Sequence, residues 1–471
     1  MKRDRFSRAR VAAAVAGIGG AIAGFQALGA GFALQEQSGS GLGNAFAGGA
    51  AAAEDASTVY TNPAGMSRLP GAQAVVAGSV VCPSIKFSDG GSQPAAFQPL
   101  GGDGGEAANC ALVPAFYLAV PVNRQWSFGL GVNAPFGLKT EYDSDWIGRF
   151  QAVKSEVKTV NVNPAVSFKL SDSVALAAGV NWQRITATLT SRVNYAGAFA
   201  QGVGQGVAAG QIPAAVAPTL IGAAAGLESE AAVDAKDSAW GWNIGALFDI
   251  DRQTRIGFQY RSKIKYDAGG SVNINNPALG ALPPTLAPVG AAIAGGVNAV
   301  LASGDIRLAL ELPDSANVSL FRQIDTQWDA MADVQFTGWS SVQALNIVRS
   351  TGGLLSTTPE NFRDTWRASI GANYHYSPQW MFRAGLAYDQ SPVRDAQRTP
   401  RLPDNDRTWL SIGAQYRFSP QLVVDAGYTY IIVKDPNINQ NEGNTAANAL
   451  ISGSYRNNVN IGAVQLTYTF N

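Results

Sequence analysis

Histidine occurs once in this 471-residue chain, at His375, and cysteine twice, at Cys82 and Cys110. With no second imidazole there is no HExxH pair, and neither a GxSxG elbow nor a phosphate-binding loop is present. A catalytic triad lacks its base and a zinc site lacks its ligands, so the sequence implies no enzyme activity, no metal and no other cofactor. His375 falls on the polar side of an alternating segment, where lining a lumen or sitting in an interfacial girdle suits it better than catalysis. Charge is scarce as well: Asp, Glu, Lys and Arg make up 14% of the chain, against roughly 25% in soluble domains. The 34 basic and 34 acidic residues cancel, which points away from nucleic acid and from any polyanionic partner. Long apolar runs are missing too. Past the amino terminus no stretch of about 18 apolar residues is free of polar interruption, as a membrane helix requires. If the chain spans a membrane, it does so as a closed barrel, because lipid offers no partner to an open strand edge.

What is present fits that alternative. The start "MKRDRFSRAR" is basic and precedes the apolar run "VAAAVAGIGGAIAGF", with Ala27 and Gly29 at the −3 and −1 positions of a cut before Ala30. This is the pattern of a secretory signal over residues 1–29. From about residue 71, segments alternate between apolar and polar or small side chains with the period of a two-faced strand. In "TRIGFQYRSKIKY" the even positions Ile256, Phe258, Tyr260, Ile264 and Tyr266 are apolar apart from Ser262, while Arg255, Gly257, Gln259, Arg261, Lys263 and Lys265 occupy odd ones. The parity places Arg255, Arg261, Lys263, Arg367, Arg383, Arg407 and Arg417 toward the lumen, since arginine at the bilayer midplane costs about 2–4 kcal/mol. A soluble sandwich also alternates, but Tyr376, Trp380, Tyr416, Phe418, Tyr468 and Phe470 lie at strand ends beside short turns, as a girdle of interfacial aromatics does. Tight turns at Pro121, Ser171, Asp251, Arg322, Ser377 and Ser419 alternate with long connections at 83–109, 138–151, 193–238, 269–303, 341–363, 390–405 and 435–454. That pattern predicts about fourteen antiparallel strands with both ends periplasmic.

Local irregularities add detail. Cys82 and Cys110 each end a predicted strand of one hairpin, and in an oxidising periplasm a disulfide is favoured there over two free thiols. Pro135 and Pro164 each remove a ladder donor. At Pro135 the strand either ends at a loop or opens functionally; at Pro164 a bulge is expected. The nearly uncharged stretches 196–227 and 277–304 are either flexible low-complexity loops or short-helix lids over an outer mouth. The stretch "SGLGNAFAGGAAAAEDASTVYTNPAGMSRLPG", Ser40 to Gly71, shows neither helical nor strand periodicity and cannot build a core of its own.

Three segments carry a resemblance: "GFALQEQSGSGLGNAFAGGAAAAEDASTVYTNPAGM", "GWNIGALFDIDRQTRIGFQYRSKIKYDAGG" and "SPVRDAQRTPRLPDNDRTWLSIG". Together they resemble the FadL family of outer-membrane transporters for long-chain fatty acids and other hydrophobic compounds. The resemblance implies an all-β, 14-stranded transmembrane barrel over 71–471 with a hatch, residues 30–70, folded inside its lumen. Asn62, Pro63 and Ala64 match the family's hatch motif, and Pro135, Phe136, Gly137, Leu138 and Lys139 match the kink of its third strand, which opens a passage through the wall. The chain departs from the pattern in ending with Asn471 after Phe470, at the signal read by the barrel assembly machinery, and in the Ala and Gly content of its outer loops. Its partners are then a long-chain fatty acid or another hydrophobic small molecule, outer-membrane lipid and that machinery, and it is expected to be a monomer. Arg398, Arg401 and Arg407 are candidates to orient a ligand carboxylate by bidentate pairing, or to hold their loop through Asp404 and Asp406. Uptake of aromatic or alkane hydrocarbons by the same route is the alternative. A general porin or a surface adhesin fits less well, because neither needs a plug.

Overall fold

The computed structural model describes residues 30–440 and 448–470; the signal read over 1–29 lies outside the described residues. Twenty hydrogen-bonded segments form fourteen strands, because six strands are interrupted. The uninterrupted strands are β1 (Gln73–Asp89), β2 (Ala111–Pro121), β4 (Lys154–Lys169), β5 (Val174–Val193), β6 (Ser229–Asp249), β11 (Trp380–Asp389), β12 (Arg407–Arg417) and β14 (Ile451–Thr469). The interrupted ones are β3 (Trp126–Asn133, Gly137–Glu141), β7 (Thr254–Arg261, Ile264–Asn275), β8 (Gly304–Leu312, Ser315–Gln323), β9 (Trp328–Thr337, Ala344–Arg349), β10 (Leu354–Pro359, Thr365–His375) and β13 (Leu422–Val433, Asn437–Gln440). Each pairs antiparallel with its neighbours in sequence, and β14 pairs with β1 from Gln73↔Thr469 to Asp89↔Gly453, which closes the ring.

A tilted strand crosses the hydrocarbon in about 9–11 residues, yet β5 has 20 and β6 has 21. The outer halves therefore rise beyond the bilayer as hairpins, and the connection expected over 193–238 shortens to 194–228. This extension reverses a side-chain assignment. Below Arg261, Ile256 and Phe258 face lipid while Gln259 and Arg261 point inward. Between the two segments of β7, Ser262 takes both ladder roles opposite Trp242, its N–H donating to the Trp242 carbonyl and its Oγ accepting the Trp242 N–H, each at 2.9 Å. The parity then flips. Ile264 and Tyr266 are buried inside, and Lys263 and Lys265 stand outside, paired with Glu311 at 3.3 and 3.1 Å. The expectation that Lys263 faces the lumen is thus corrected: above the bilayer the outer surface meets water and the inner one an apolar vestibule. β8 flips likewise across Pro313 and Asp314, from inward Ile306 and Leu308 to outward Val318 and Leu320.

Pro164 makes no bulge. Pairing with β5 runs Val162↔Trp182 and resumes at Ala165↔Gly179 with the register unchanged. Cys82 does not end its strand either: the β1–β2 ladder stops at Val81↔Ala111, and the next pair in that register, Cys82 and Cys110, is joined by a disulfide across 28 residues. The outer mouth carries α3 (Tyr195–Ala208), α4 (Ala217–Ala224) and α5 (Ala287–Val300), after the short turns α1 (Gly39–Leu42) and α2 (Thr58–Thr61) nearer the amino terminus. Tyr195, Phe199, Val203, Leu220 and Val297 of the outer helices pack together. The apolar stretches therefore form short packed helices, and Asn194 caps α3 by accepting the Gly197 N–H at 2.9 Å.

Residues 30–70 run through the lumen, buried except at a few points. The wall admits them by close approach: a Cβ at Gly257 would lie 1.9 Å from the Ala50 carbonyl oxygen, and one at Gly385 2.2 Å from that of Asn44. Polar anchors complete the seat. Arg367 donates to the Ala45 carbonyl at 2.7 Å, Gln465 to Asp55 at 2.8 Å, and Arg383 bonds Glu54 at 2.7 Å and also Asp425.

Candidate lateral opening and ligand vestibule

Beyond Asn133 the third strand leaves one neighbour and keeps the other. The β2–β3 ladder runs from Pro121↔Ser127 to Phe116↔Val132 and ends there, so Ala111 to Ala115 pair only with β1. On the other side β3 stays with β4, from Trp126↔Phe168 to Asn133↔Asn161 and again from Gly137↔Lys158 to Glu141↔Lys154. Three residues, Ala134 to Phe136, oppose the two residues Thr159 and Val160, which is a bulge of one. Thr159 holds it: its Oγ1 accepts the Phe136 N–H at 2.9 Å and donates to the Phe136 carbonyl at 2.7 Å. The break in the wall is therefore between β2 and β3, with Pro135, Phe136, Gly137 and Leu138 turned in and buried. Lys139 is partly buried and pairs with Glu141 at 3.2 Å.

The amino-terminal segment takes up the ladder groups that β2 leaves unused. Leu34 N–H donates to the Pro135 carbonyl at 2.8 Å, Gly137 N–H donates to the Phe32 carbonyl at 2.9 Å, and Ala33 bridges Phe136. Gln37 adds a side-chain bond to the Ala134 carbonyl at 2.9 Å. Above this short ladder lies an apolar vestibule in which Phe32 packs edge-on to Trp339 at 4.8 Å, with Phe136, Leu138 and Phe362 around them. Below it, a cavity of about 70 Å³ touches Gln35, Tyr60, Pro135, Gln259, Arg261 and Arg367. Arg261 donates to the Tyr60 carbonyl at 3.1 Å and to Asn181, and lies 4.4 Å over the Tyr60 ring.

Asn62 is fully buried: its amide donates to the carbonyls of Ala50 at 2.7 Å and, on β6, Ala246 at 2.9 Å, while its Oδ1 accepts the Ala64 N–H at 3.1 Å. Pro63 starts a 3-10 turn, Pro63–Arg68, so Asn62, Pro63 and Ala64 join the plug to itself and to the wall. The three arginines of the late loop are already engaged. Arg398 donates to the Asp404 carbonyl at 3.0 Å, to Asp395 at 2.7 Å and to the Asn437 carbonyl. Arg407 pairs with Asp404 at 2.6 Å. Arg401 bonds Ser155 Oγ at 3.0 Å and the Lys154 carbonyl at 3.3 Å, near the upper segment of β3. Arg261 and Arg367 carried the right parity in the sequence, but parity alone gives no depth, so their place at the cavity beside the kink was not legible. His375 pairs with Asp329 at 2.7 Å at the periplasmic mouth, beside Arg255 and Arg417. No cluster of metal-ligating side chains occurs among the described residues.

A barrel whose lumen is plugged and whose third strand kinks away from the second also describes a known group. A family model described as "Outer membrane protein transport protein (OMPP1/FadL/TodX)" matches residues 20–470. The chain belongs to this family. Among its relatives, the long-chain fatty acid transport protein of Escherichia coli strain K12 is 30% identical over 422 residues, 87% of this chain and 88% of that one. Outer membrane protein P1 of Haemophilus influenzae is 29% identical over 460 residues, 94% and 95% of the two chains. The solved Pseudomonas aeruginosa FadL homologue superposes with a TM-score of 0.81 at 27% identity, covering 94% of this chain and all of that one. The toluene transporter TodX of Pseudomonas putida, at a TM-score of 0.61 and 20% identity over 88% of this chain and 94% of its own, shares the fold. Like its family, the protein is an outer-membrane, multi-pass barrel.

Proposed function

We propose that this protein takes up long-chain fatty acids or chemically similar hydrophobic molecules by passive diffusion and releases them sideways into the outer membrane between β2 and β3. The observation that carries the reading is the ladder that β2 abandons at Phe116 and that Phe32 to Leu34 takes over from inside. Residues 30–70 act as the hatch and 71–471 as the barrel. The apolar helices α3 to α5 gather ligand at the mouth, and the vestibule around Phe32, Phe136 and Trp339 receives its chain. Each methylene gains about 0.8 kcal/mol on leaving water, so an aqueous exit would oppose the ligand's partitioning and a lateral one follows it. When Phe32 to Leu34 withdraw, Pro135 lacks the N–H that could close the ladder toward β2, and the gap stays open to lipid. Arg398 and Arg407 hold the late loop in this scheme, whereas Arg401 bonds Ser155 and the Lys154 carbonyl through one nitrogen, Nη1, and its other donors are the ones to meet a carboxylate.

A reversible lock tests the route. Ala33 and Phe136 are bridge partners, so the pair Ala33→Cys and Phe136→Cys should form a disulfide that pins the segment across the gap. Oleate uptake should stop in the oxidised protein and return on reduction, with the unsubstituted protein as the control for reduction of its own disulfide. Uptake that survives the lock sinks the lateral route. Running the same assay with toluene separates a fatty-acid transporter from a hydrocarbon transporter, and Arg401→Ala should slow the first ligand only.

A further inference from the structure

On the outer wall of β3 to β8, cations above the bilayer are held in ion pairs. Lys139 pairs with Glu141 at 3.2 Å, Lys154 and Lys158 share Glu156 at 3.5 and 2.7 Å, and Arg192 pairs with Glu230. Lys263 and Lys265 share Glu311, and Arg307 meets Asp267 at 3.4 Å. Two exposed cations on this surface, Arg184 of β5 and Lys236 of β6, have no ion pair among the described residues. The acids beside Lys236 on its own strand are engaged elsewhere: Asp234 accepts from Thr188 Oγ1 at 2.7 Å, and Asp237 accepts the N–H groups of Asp267 at 2.9 Å and Ser238 at 2.7 Å.

The ladders set these two cations side by side. Thr186 lies across from Lys158 on one side and from Lys236 on the other, and Arg184, the next residue below Thr186 on the same face, lies across from Ser238. Arg184 and Lys236 are therefore diagonal neighbours on paired strands, with backbones about 7–8 Å apart. Like charges at that spacing repel, and an anion held between them turns the repulsion into attraction. Lower on the same two strands Trp182 faces Trp240, and Trp240 is 67% exposed and Trp242 49%. Outward tryptophans mark the level at which hydrocarbon gives way to headgroups. Arg184, the next outward residue above Trp182, thus stands at headgroup height, and Lys236, the second above Trp240, stands just over it. Between the two charges Thr186 and Ser238 present hydroxyls to the outside.

We propose that Arg184 and Lys236 bind a phosphate of an outer-leaflet glycolipid, with Thr186 and Ser238 meeting its sugar and Trp182 and Trp240 lying against its acyl chains. Three features select this partner. The strand extensions stand on the outer side of the membrane, and in a bacterial outer membrane that leaflet is built of phosphorylated glycolipid. A guanidinium takes two phosphate oxygens at once, and the ammonium of Lys236 adds a point charge from the neighbouring strand. Hydroxyls interleaved with the cations offer a sugar both donors and acceptors, while the apolar rings below offer it nothing and suit its chains. The other paired cations of the wall lack this combination, because their charge is already spent on Glu141, Glu156, Glu230, Asp267 or Glu311. The inference rests on the outer-membrane placement and stands apart from the transport reading, and none of its readouts measures uptake.

The experiment uses the full chain purified from outer membranes and stripped of lipid by detergent exchange. The probe is lipid A carrying both of its phosphates, titrated into the folded protein and read as bound adducts by native mass spectrometry. The parent protein should bind it, and Arg184→Gln combined with Lys236→Gln should weaken binding by about tenfold or more, since two charge-assisted contacts are lost. Lys263→Gln combined with Lys265→Gln removes the same charge from a paired part of the wall and should bind like the parent. Lipid A stripped of its phosphates, with the same acyl chains, should bind the parent and the Arg184/Lys236 variant equally weakly. Inorganic phosphate in excess should not displace the lipid. Heat-modifiable migration on gels reports whether each variant is folded. Should the double variant not fold, Lys236→Gln alone must weaken binding while Arg184→Lys, which keeps the charge, retains more of it. Unchanged binding in the Arg184/Lys236 variant, an equal loss in the Lys263/Lys265 variant, or equal binding of the phosphate-free lipid by the parent refutes the site. Displacement by inorganic phosphate would make it a site for a soluble anion and overturn the glycolipid as its occupant.

Discussion

The Asn163 side-chain amide donates to the Val180 carbonyl at 2.9 Å, and Val180 stands in the register position opposite Pro164. Proline withholds the ladder N–H that this carbonyl would otherwise accept, and the neighbouring side chain supplies it. Since Asn163 is buried and also bonds Asn243 at 3.0 Å, Asn163→Ala leaves the carbonyl without a partner inside the wall. The expected loss is about 1–3 kcal/mol, read as a lower urea midpoint of the folded barrel. Adding Pro164→Ala restores a backbone donor and should recover part of it. If the double variant is no more stable than Asn163→Ala, the side chain is not standing in for the ladder.

The parity flip in β7 makes a second prediction, about surroundings. Phe258→Cys should react with a lipid-soluble probe in intact membranes, whereas Lys263→Cys and Lys265→Cys should react with a membrane-impermeant thiol reagent applied from outside. Lys263→Cys that is shielded from outside until the lumen is opened would put the residue back on the inner face.

The architecture was legible because closure leaves a periodic trace: alternation, tight turns, girdle aromatics and long outer connections each follow from the two solvents of a barrel wall. The same rule failed where the solvents change places. Ile264 and Tyr266 read as lipid-facing because their pattern continues that of Ile256 and Phe258; Ser262, which interrupts the apolar parity, stands at the flip, but one polar residue does not give the height at which the bilayer stops. Pro164 read as a bulge because a missing donor is visible in sequence, while its replacement by Asn163 depends on a neighbouring strand. Pro135 was visible as a break, yet which neighbour it abandons depends on where β2 ends. The role of Phe32 to Leu34 was hidden for the same reason, since three residues pairing with a bulge leave no period.

Glu360 supplies a pH dependence. It lies in the outer loop before the second segment of β10, and burial pushes its carboxyl up to about 8, against the opposing pull of Arg401. Folded protein therefore holds this proton where the unfolded loop has released it. The contribution is intact below about pH 4.5 and declines as pH rises toward 8, by up to about 1.4 kcal/mol per unit. Hydrogen exchange at Asn361 to Arg363 should accordingly lose protection across that window beyond its intrinsic pH dependence, and Glu360→Gln should remove the loss. Protection that increases with pH would mean that the ionised carboxylate is the better partner for Arg401.

Asn62 ties the plug to the wall at a point where no substitute is at hand. Its amide reaches the Ala50 carbonyl within the plug and the Ala246 carbonyl in β6, and a Cβ at Gly245 would fall 2.1 Å from its Oδ1. Two changes should then act alike for different reasons. Asn62→Ala removes the donor and leaves two buried carbonyls short of a bond, at about 1–3 kcal/mol each in the worst case. Gly245→Ala keeps the donor but pushes the side chain off its seat. Both should leave the barrel folded, as judged by heat-modifiable migration, because the ladders of β6 with β5 and β7 do not pass through Asn62. Both should loosen the plug, giving single-channel openings that the parent protein lacks and admitting small hydrophilic solutes to cells. Arg383→Ala, which breaks the separate bond to Glu54, serves as an independent way to free the same plug. If Arg383→Ala conducts and the two changes at the Asn62 seat do not, the plug is held by its ion pairs and Asn62 only shapes its turn; conduction in all three would make the Asn62 bonds part of the seal.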